Sequence, residues 1–340
     1  LTSGVGLSCG NAVSADGSVV VGYLADTPRS LIRPFRWTRA EGAAELVSNT
    51  EFLNYSNALA LSADGDVVAG YASLGSRIGA FRWTQASGIT MVGPGEQVGL
   101  SGDGATLVGA DESWADGDHL YRSTPADGAF DLGLLGRPAG VNALSGDGTT
   151  IVGWVGDTPS SSSRAFVWTS REGVVRIGPS SATSRANAVS AGGSVVVGAH
   201  TADGGSKDVA FRWDREHGFA DLDLGALAIG SVDGSSASGI TSDGTTIVGT
   251  NAQGSWIWSR STGARLVSDL LAQEGADIAG FSDFQVTDIS DDGTVITGCL
   301  KDSTLATEAF VARLGDPACC SGRDLREPGS CVLSSHGGSK

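Results

Sequence analysis

Apolar residues in this chain come in short β-branched runs, cut by Gly-rich polar turns, and the runs recur in a fixed order. The clearest is VVVG at 19–22, entered through Ala15-Asp16-Gly17-Ser18. The phrase returns as ADGDVVAG at 63–70, GDGATLVG at 102–109, GDGTTIVG at 146–153, AGGSVVVG at 191–198, SDGTTIVG at 242–249 and DDGTVITG at 291–298. Its seven copies are spaced 39 to 51 residues apart. That period suits a four-stranded propeller blade and is too long for a one-strand solenoid coil.

Within each unit the pattern predicts four strands. A small-residue strand comes first, as NAVS at 11–14, NALALS at 57–62, NALS at 142–145 and NAVS at 187–190. Next stands a pair permissive of positive φ: Asp16-Gly17, Asp64-Gly65, Asp103-Gly104, Asp147-Gly148, Asp243-Gly244, Asp292-Gly293, and Gly192-Gly193 in the fifth unit. These are the residues a tight hairpin turn requires, and they are read as structural. The β-branched run is the second strand. The third is PFRWT at 34–38, AFRWT at 80–84, AFVWT at 165–169, AFRWD at 210–214 or SWIWS at 255–259, with HLYRS at 119–123 and AFVAR at 309–313 as departures. Its alternation sets Phe35 and Trp37 on one face and Arg36 on the other. A shorter fourth segment follows in six units, such as AELV at 44–47 and ARLV at 264–267, and the seventh unit stops after AFVARL.

The expected fold is therefore all-β, a seven-bladed β-propeller of mostly four-stranded blades over residues 1–315, with 316–340 a Cys-containing tail or linker. Residues 1–4 are placed to complete the last sheet, closing the ring by overlap of N- and C-terminal strands. The tail, or an open stack with capped ends, is the alternative.

Charge narrows the partners. The chain has 22 Lys and Arg against 38 Asp and Glu, a net charge of -16. That balance argues against nucleic acid and anionic lipid, which recruit cations. There is no apolar run long enough for a transmembrane helix, and LTSGVGLSCG lacks the regions of a signal peptide. The five cysteines are Cys9, Cys299, Cys319, Cys320 and Cys331. A tie between the chain ends and a small loop from Cys319 or Cys320 to Cys331 are both open, and the composition leans toward export.

The combined pattern of NAVSADGSVVVGY, AFRWT and a glycine-led aliphatic strand resembles the extracellular HAF-repeat family of bacterial exported proteins and some autotransporter passengers. The resemblance covers essentially residues 1–315. It implies a secreted or cell-surface propeller and transfers no catalytic residue. The blade grammar also resembles, more distantly, that of TolB-like propellers, where a Ser-x-Asp-Gly turn joins the first two strands.

Candidate chemistry is sparse. Gly6-Leu7-Ser8-Cys9-Gly10 matches the G-x-S-x-G nucleophile elbow in letters, but an Asp-Gly hairpin follows where the elbow needs a helix. His119, His200, His217 and His336 lack zinc-ligand spacing, and single turn aspartates a blade apart do not make a calcium cage. No catalytic residue, metal or cofactor is assigned. The ligand-binding candidates are Asp111, Glu112, Trp114, Asp116, Asp118 and His119, with four carboxylates in eight positions, and Trp154 outside the repeated aromatic position. A solvated loop accounts for the acidic cluster equally well.

The function expected from these features is a secreted or cell-surface recognition or adhesion module, monomeric, whose face loops bind a glycan or a host surface molecule. The alternatives are a secreted polysaccharide hydrolase or lyase with its site assembled from several blades, and a structural passenger without a small-molecule site.

Overall fold

The computed structural model describes residues 6–26, 31–46, 55–74, 77–111, 117–136, 138–156, 162–201, 207–228, 234–304 and 306–315. Seven antiparallel sheets follow one another along the chain, each with its strands in chain order. Blade 1 holds β1 (Gly6–Val13), β2 (Val19–Asp26), β3 (Leu31–Thr38) and β4 (Gly42–Glu45); blade 2 holds β5 (Ser56–Leu61), β6 (Val67–Leu74), β7 (Arg77–Thr84) and β8 (Gly88–Pro94). Blade 3 has β9 (Val98–Leu100), β10 (Leu107–Asp111), β11 (Asp118–Thr124) and β12 (Gly128–Gly136), and blade 4 has β13 (Ala139–Leu144), β14 (Thr150–Gly156), β15 (Ser163–Thr169) and β16 (Gly173–Arg176). Blade 5 runs β17 (Ser184–Val189), β18 (Val195–Thr201), β19 (Asp208–Asp214) and β20 (Gly218–Asp221), and blade 6 runs β21 (Ser236–Ile240), β22 (Thr246–Asn251), β23 (Gly254–Ser259) and β24 (Gly263–Leu266). The seventh sheet has three described strands, β25 (Ser282–Ile289), β26 (Val295–Lys301) and β27 (Thr307–Arg313). The molecule is a seven-bladed β-propeller.

One segment departs from the strand reading. β24 ends at Leu266, and α1 (Val267–Gln273) follows with Val267, Leu270 and Leu271 buried. Their spacing of three and four is a helix face. They join Ile257, Phe284, Phe310 and Ala312 in the core between blades 6 and 7, beside the blade that has Ala312 where most others have tryptophan.

The repeated phrase folds as a hydrogen-bonded corner. In blade 1, buried Ser14 donates from Oγ to Asp16 Oδ1 at 2.8 Å and accepts from the Val19 N–H at 2.9 Å. Asp16 Oδ1 also accepts the Ser18 N–H at 2.9 Å. The corner recurs at Ser62 and Asp64, Ser101 and Asp103, Ser145 and Asp147, Thr241 and Asp243, and Ser290 and Asp292. In blade 5, with Gly192 in place of the aspartate, Ser190 Oγ still accepts from the Val195 N–H. The turn glycine meets two demands. Gly65 has φ of +77°, and a Cβ there would lie 2.5 Å from Val19 Cγ2 of the preceding blade.

The last glycine of the phrase is set by a bulge. Gly22 pairs with Phe35 and Gly10, and the register then skips Asn11. A Cβ on Gly70 or Gly198, the same position in blades 2 and 5, would sit 2.0 Å from a first-strand carbonyl oxygen. The side chain on the bulge reaches the next blade. Asn11 Nδ2 donates to Ala58 O, Asn142 to Ala186 O, Asn187 to Ala237 O, Ser238 Oγ to Val286 O and Thr287 Oγ1 to Gly10 O. Blade 2 has Leu59 at its bulge and blade 3 has no bulge in its first strand.

Blades pack through the third-strand aromatics. Phe35, Phe81, Phe166, Phe211, Phe310 and Trp256 are almost wholly buried, each contributing about 1.5–3 kcal/mol by removing apolar surface from water. The innermost strands surround a central channel, and blade 7 lies against β1, so the ring is closed. A disulfide joins Cys9 of β1 to Cys299 of β26, 290 residues apart in sequence. At the same junction the Ala309 N–H donates to Ser8 Oγ at 2.9 Å and the Val13 N–H to Asp288 Oδ2 at 3.0 Å. The terminal strand overlap expected at residues 1–4, and the cysteines of the tail at 316–340, lie outside the described residues.

Candidate functional site

Among the described residues, two hollows bear on function. The first is a groove of about 820 Å³ on the face that carries the Asp-Gly corners, running from blade 7 across blade 1 to blade 2. Val295, Val311 and Arg313 come from blade 7, while Gly17, Val19, Arg36, Trp37 and Glu41 come from blade 1. Asp64, Asp66, Trp83 and Gln85 form the blade 2 end.

The repeat places these side chains. Trp37 packs on Val295 and Val311 of blade 7, and Trp83 on Val21 and Leu46 of blade 1. In blades 1 and 2 the residue preceding the tryptophan reaches the following blade. Arg36 Nε donates to Gly65 O at 3.2 Å, and Arg82 donates to Gly104 O from Nε at 3.3 Å and from Nη2 at 3.0 Å. Arg36 also stands 3.8 Å from Glu41. The Ser62 hydroxyl and the Asp66 N–H hold the Asp64 carboxyl below the usual carboxylate range, so it is charged at neutral pH. Two indoles, cations at the blade 7 and blade 1 side, and carboxylates at the blade 2 end make a surface suited to binding an extended polar ligand.

The second hollow is the central channel, about 430 Å³. At the position just after the bulge it carries Ala12, Ala60, Ala143, Ala188 and Gly239, but Asp288 in blade 7. Desolvation inside the channel wall pushes the Asp288 carboxyl up to about 7, against the N–H groups of Val13 and Ile289, which favour its ionised form. This carboxylate serves the ring closure.

Of the residues singled out from sequence, Asp111, Asp118 and His119 flank the β10–β11 connection, on the opposite face, and Trp154 stands in β14 of the next blade. Asp118 is buried, and its Oδ2 accepts the Ala139 N–H of blade 4 at 2.8 Å. His119 is buried too, with Nδ1 at 3.0 and 3.1 Å from the Asp131 carboxylate of β12, and Asp111 is its register partner. Trp154 pairs with Gly140 and lies under the guanidinium of Arg185, 5.1 Å from Cζ to the ring centre. Glu112, Trp114 and Asp116 lie outside the described residues. The structure thus gives Asp118, His119 and Trp154 partners in neighbouring strands.

The other letters of interest also find structural places. Ser8 is buried within β1 and Cys9 is disulfide-bonded, so Gly6 to Gly10 is a strand and has no nucleophile-elbow geometry. His200 Nε2 meets Asp221 at 2.7 Å, and His217 Nδ1 meets Asp214 at 2.9 Å. Among the described residues no three His, Cys, Asp or Glu side chains converge on one point, and no helix is long and apolar enough to cross a membrane. The groove has no local signal in the sequence, because Trp37 and Trp83 stand at the repeated aromatic position of the third strand and nothing in either segment marks it as lining a hollow.

No family model matches the chain, and its sequence matches no curated protein. Its fold is similar to solved propellers. TolB from Acinetobacter baumannii aligns with a TM-score of 0.51 and 11% identity over 87% of this chain and 64% of that one, so the chain spans less than two thirds of it. The β-propeller domain of the Trilobed protease from Pyrococcus furiosus, which has an open velcro topology, aligns with a TM-score of 0.59 and 10% identity over 91% and 96%. Kuenenia stuttgartiensis Hydrazine Synthase aligns with a TM-score of 0.54 and 13% identity over 89% and 94%. At these identities the likeness establishes a β-propeller fold.

Proposed function

We propose that this protein is an exported recognition module that binds a surface macromolecule through the groove across blade 1. The observation that carries this reading is the pairing of Trp37 and Trp83 in one hollow of about 820 Å³ with charged groups along it. Aromatic faces beside a few polar groups are the usual make-up of a binding cleft. Export is supported by the Cys9–Cys299 disulfide, since such bonds persist in oxidising compartments, and by the resemblance of the repeats to the HAF-repeat family. In this reading the role is adhesion to a cell surface, with a glycan or a surface protein as ligand.

The test is retention of the purified, oxidised protein on arrays of cell-surface polysaccharides and surface proteins, repeated with an Asp66→Lys, Gln85→Lys double variant. Binding that drops in the double variant supports the reading. Binding untouched by it, but lost when Trp154 is replaced, would move the contact surface to the opposite face.

A further inference from the structure

Resting on the groove as the contact surface, we propose that the Cys9–Cys299 bond is a redox latch on it: reducing that bond loosens the junction of blades 7 and 1 and weakens the groove's hold on its ligand. The other junctions show what this one lacks. A belt of main-chain hydrogen bonds links the corners of successive blades. The Ala15 N–H donates to Ala63 O, Ala63 to Gly102 O, Gly102 to Gly146 O, Asp147 to Ala191 O and Ala191 to Ser242 O, at 2.8 to 3.1 Å. Blade 6 then reaches blade 7 through a side chain, Ser242 Oγ to Asp291 O at 3.3 Å. Among the described residues no hydrogen bond carries the belt from the corner at Asp291 back to Ala15.

The apolar packing differs at the same place. Each of the other cores between blades includes a residue from the preceding blade's fourth strand or from the segment just after it: Leu46, Val92, Leu135, Ile177, Leu222 and Val267. The core between blades 7 and 1 sets Val295, Ala309 and Val311 against Val13, Val20 and Phe35, with no such residue among those described. The junction without the belt bond is the one that carries the sulfur bridge, and it is the one the groove straddles.

Each sulfur is fixed to one wall of the groove. Cys299 shares β26 with Val295, and Cys9 lies on β1, which enters the corner that holds Gly17. Once the bridge is cut, the two walls are held together by the small core and by side-chain ties such as Ser8 to Ala309 and Asp288 to Val13. Elements that open locally are those with few buried contacts.

The co-reactant is a dithiol reductant. Its thiolate attacks one sulfur of the bridge, and the other sulfur leaves and takes up a proton. The reductant's second thiol then displaces the mixed disulfide, so that two electrons pass to Cys9 and Cys299 and the reductant ends as a disulfide. Both sulfurs are buried, so the attack waits for the junction to open. A ligand bound across both walls favours the closed junction, and by linkage it favours the oxidised bridge. The ligand is thus held in an oxidising medium and released in a reducing one.

The experiment uses the full chain carrying Cys319→Ser, Cys320→Ser and Cys331→Ser, so that dithiothreitol acts on the Cys9–Cys299 bridge. Amide hydrogen exchange is followed at Ala309 and Val13, whose N–H groups cross the junction of blades 7 and 1, and at Ala165, whose N–H crosses to Ser184 Oγ between blades 4 and 5. Reduction is expected to speed exchange at Ala309 and Val13 by about tenfold or more relative to Ala165, and re-oxidation should restore it. Cys9→Ser with Cys299→Ser should match the reduced form, and the reduced parent suffices should that variant fold poorly. Any array ligand whose retention depends on Asp66 and Gln85 should be retained less after reduction.

Equal acceleration at all three amides means a uniform loss of stability and overturns the latch, as does no acceleration at Ala309 and Val13. Unchanged retention of a groove-dependent ligand after reduction overturns it too, and leaves the groove as the contact surface. An array with no groove-dependent ligand defeats the groove reading and the latch's role with it.

Discussion

Arg185 lies over the indole of Trp154 at the junction of blades 4 and 5, in the register position that Cys9 and Cys299 occupy at the junction of blades 7 and 1. In both, a residue two before the bulge of one first strand meets the residue just after the phrase glycine in the preceding blade. One position thus carries a covalent bond at the seam and a cation–π contact on the far side. Arg185→Ala is expected to lower stability by about 0.5–1 kcal/mol in urea unfolding. A midpoint equal to that of the parent would show that the pair holds nothing together.

The seam itself has a larger stake. Reduction, or replacement of Cys9 and Cys299 by serine, should cost about 2–5 kcal/mol, because the bond restricts nearly the whole unfolded chain. Urea curves of the oxidised, reduced and Cys9→Ser, Cys299→Ser forms measure it, and coincident midpoints would refute it.

Two glycines separate steric from backbone demands. Gly42 has φ of +71° with nothing near its virtual Cβ, whereas at Gly70 a Cβ would stand 2.0 Å from Asn57 O. Gly42→Ala is expected to cost about 1 kcal/mol, and Gly70→Ala about 2–4 kcal/mol, since only a backbone shift relieves it. Similar losses at both sites would mean that the bulge is free to open.

The pH dependence has two opposed parts. Asp288 keeps its proton in the folded state up to about 7, against an ordinary value of 3.8. Between those values the folded protein binds more protons than the unfolded chain, so this group makes stability fall as pH rises. Asp288→Asn should therefore gain in melting temperature over the parent progressively from pH 5 to 8. The corner aspartates act the other way. Hydrogen bonds from Ser62 and the Asp66 N–H at Asp64, and from Ser101 and the Ala105 N–H at Asp103, hold both pKa values down, so their contribution is present above the usual carboxylate range and lost in acid. A parent and Asp288→Asn difference that stays constant with pH would contradict the assignment.

Much of the fold was legible because turn chemistry and period agree. Asp16-Gly17 and its repeats mark each hairpin, and the spacing counts the blades. What stayed hidden depends on register between distant segments. That Asn11 reaches Ala58, or that Cys9 meets Cys299, follows from which strand edges touch, and pairs separated by 47 and 290 residues leave no local signal. Helix α1 hid because LVSDLLAQ was too short for its period to stand out beside a strand. The groove was masked by success elsewhere: Trp37 and Trp83 do pack between blades, and the hollow they line emerges only when the corners of three neighbouring blades are assembled.

Every peptide bond between Cys9 and Cys299 lies inside a covalent circle. A protease that severs one connecting loop would release no fragment, because both pieces stay tethered through sulfur and through the neighbouring sheets. Damage in a hostile medium would then accumulate as silent nicks, visible on a gel only after a thiol is added.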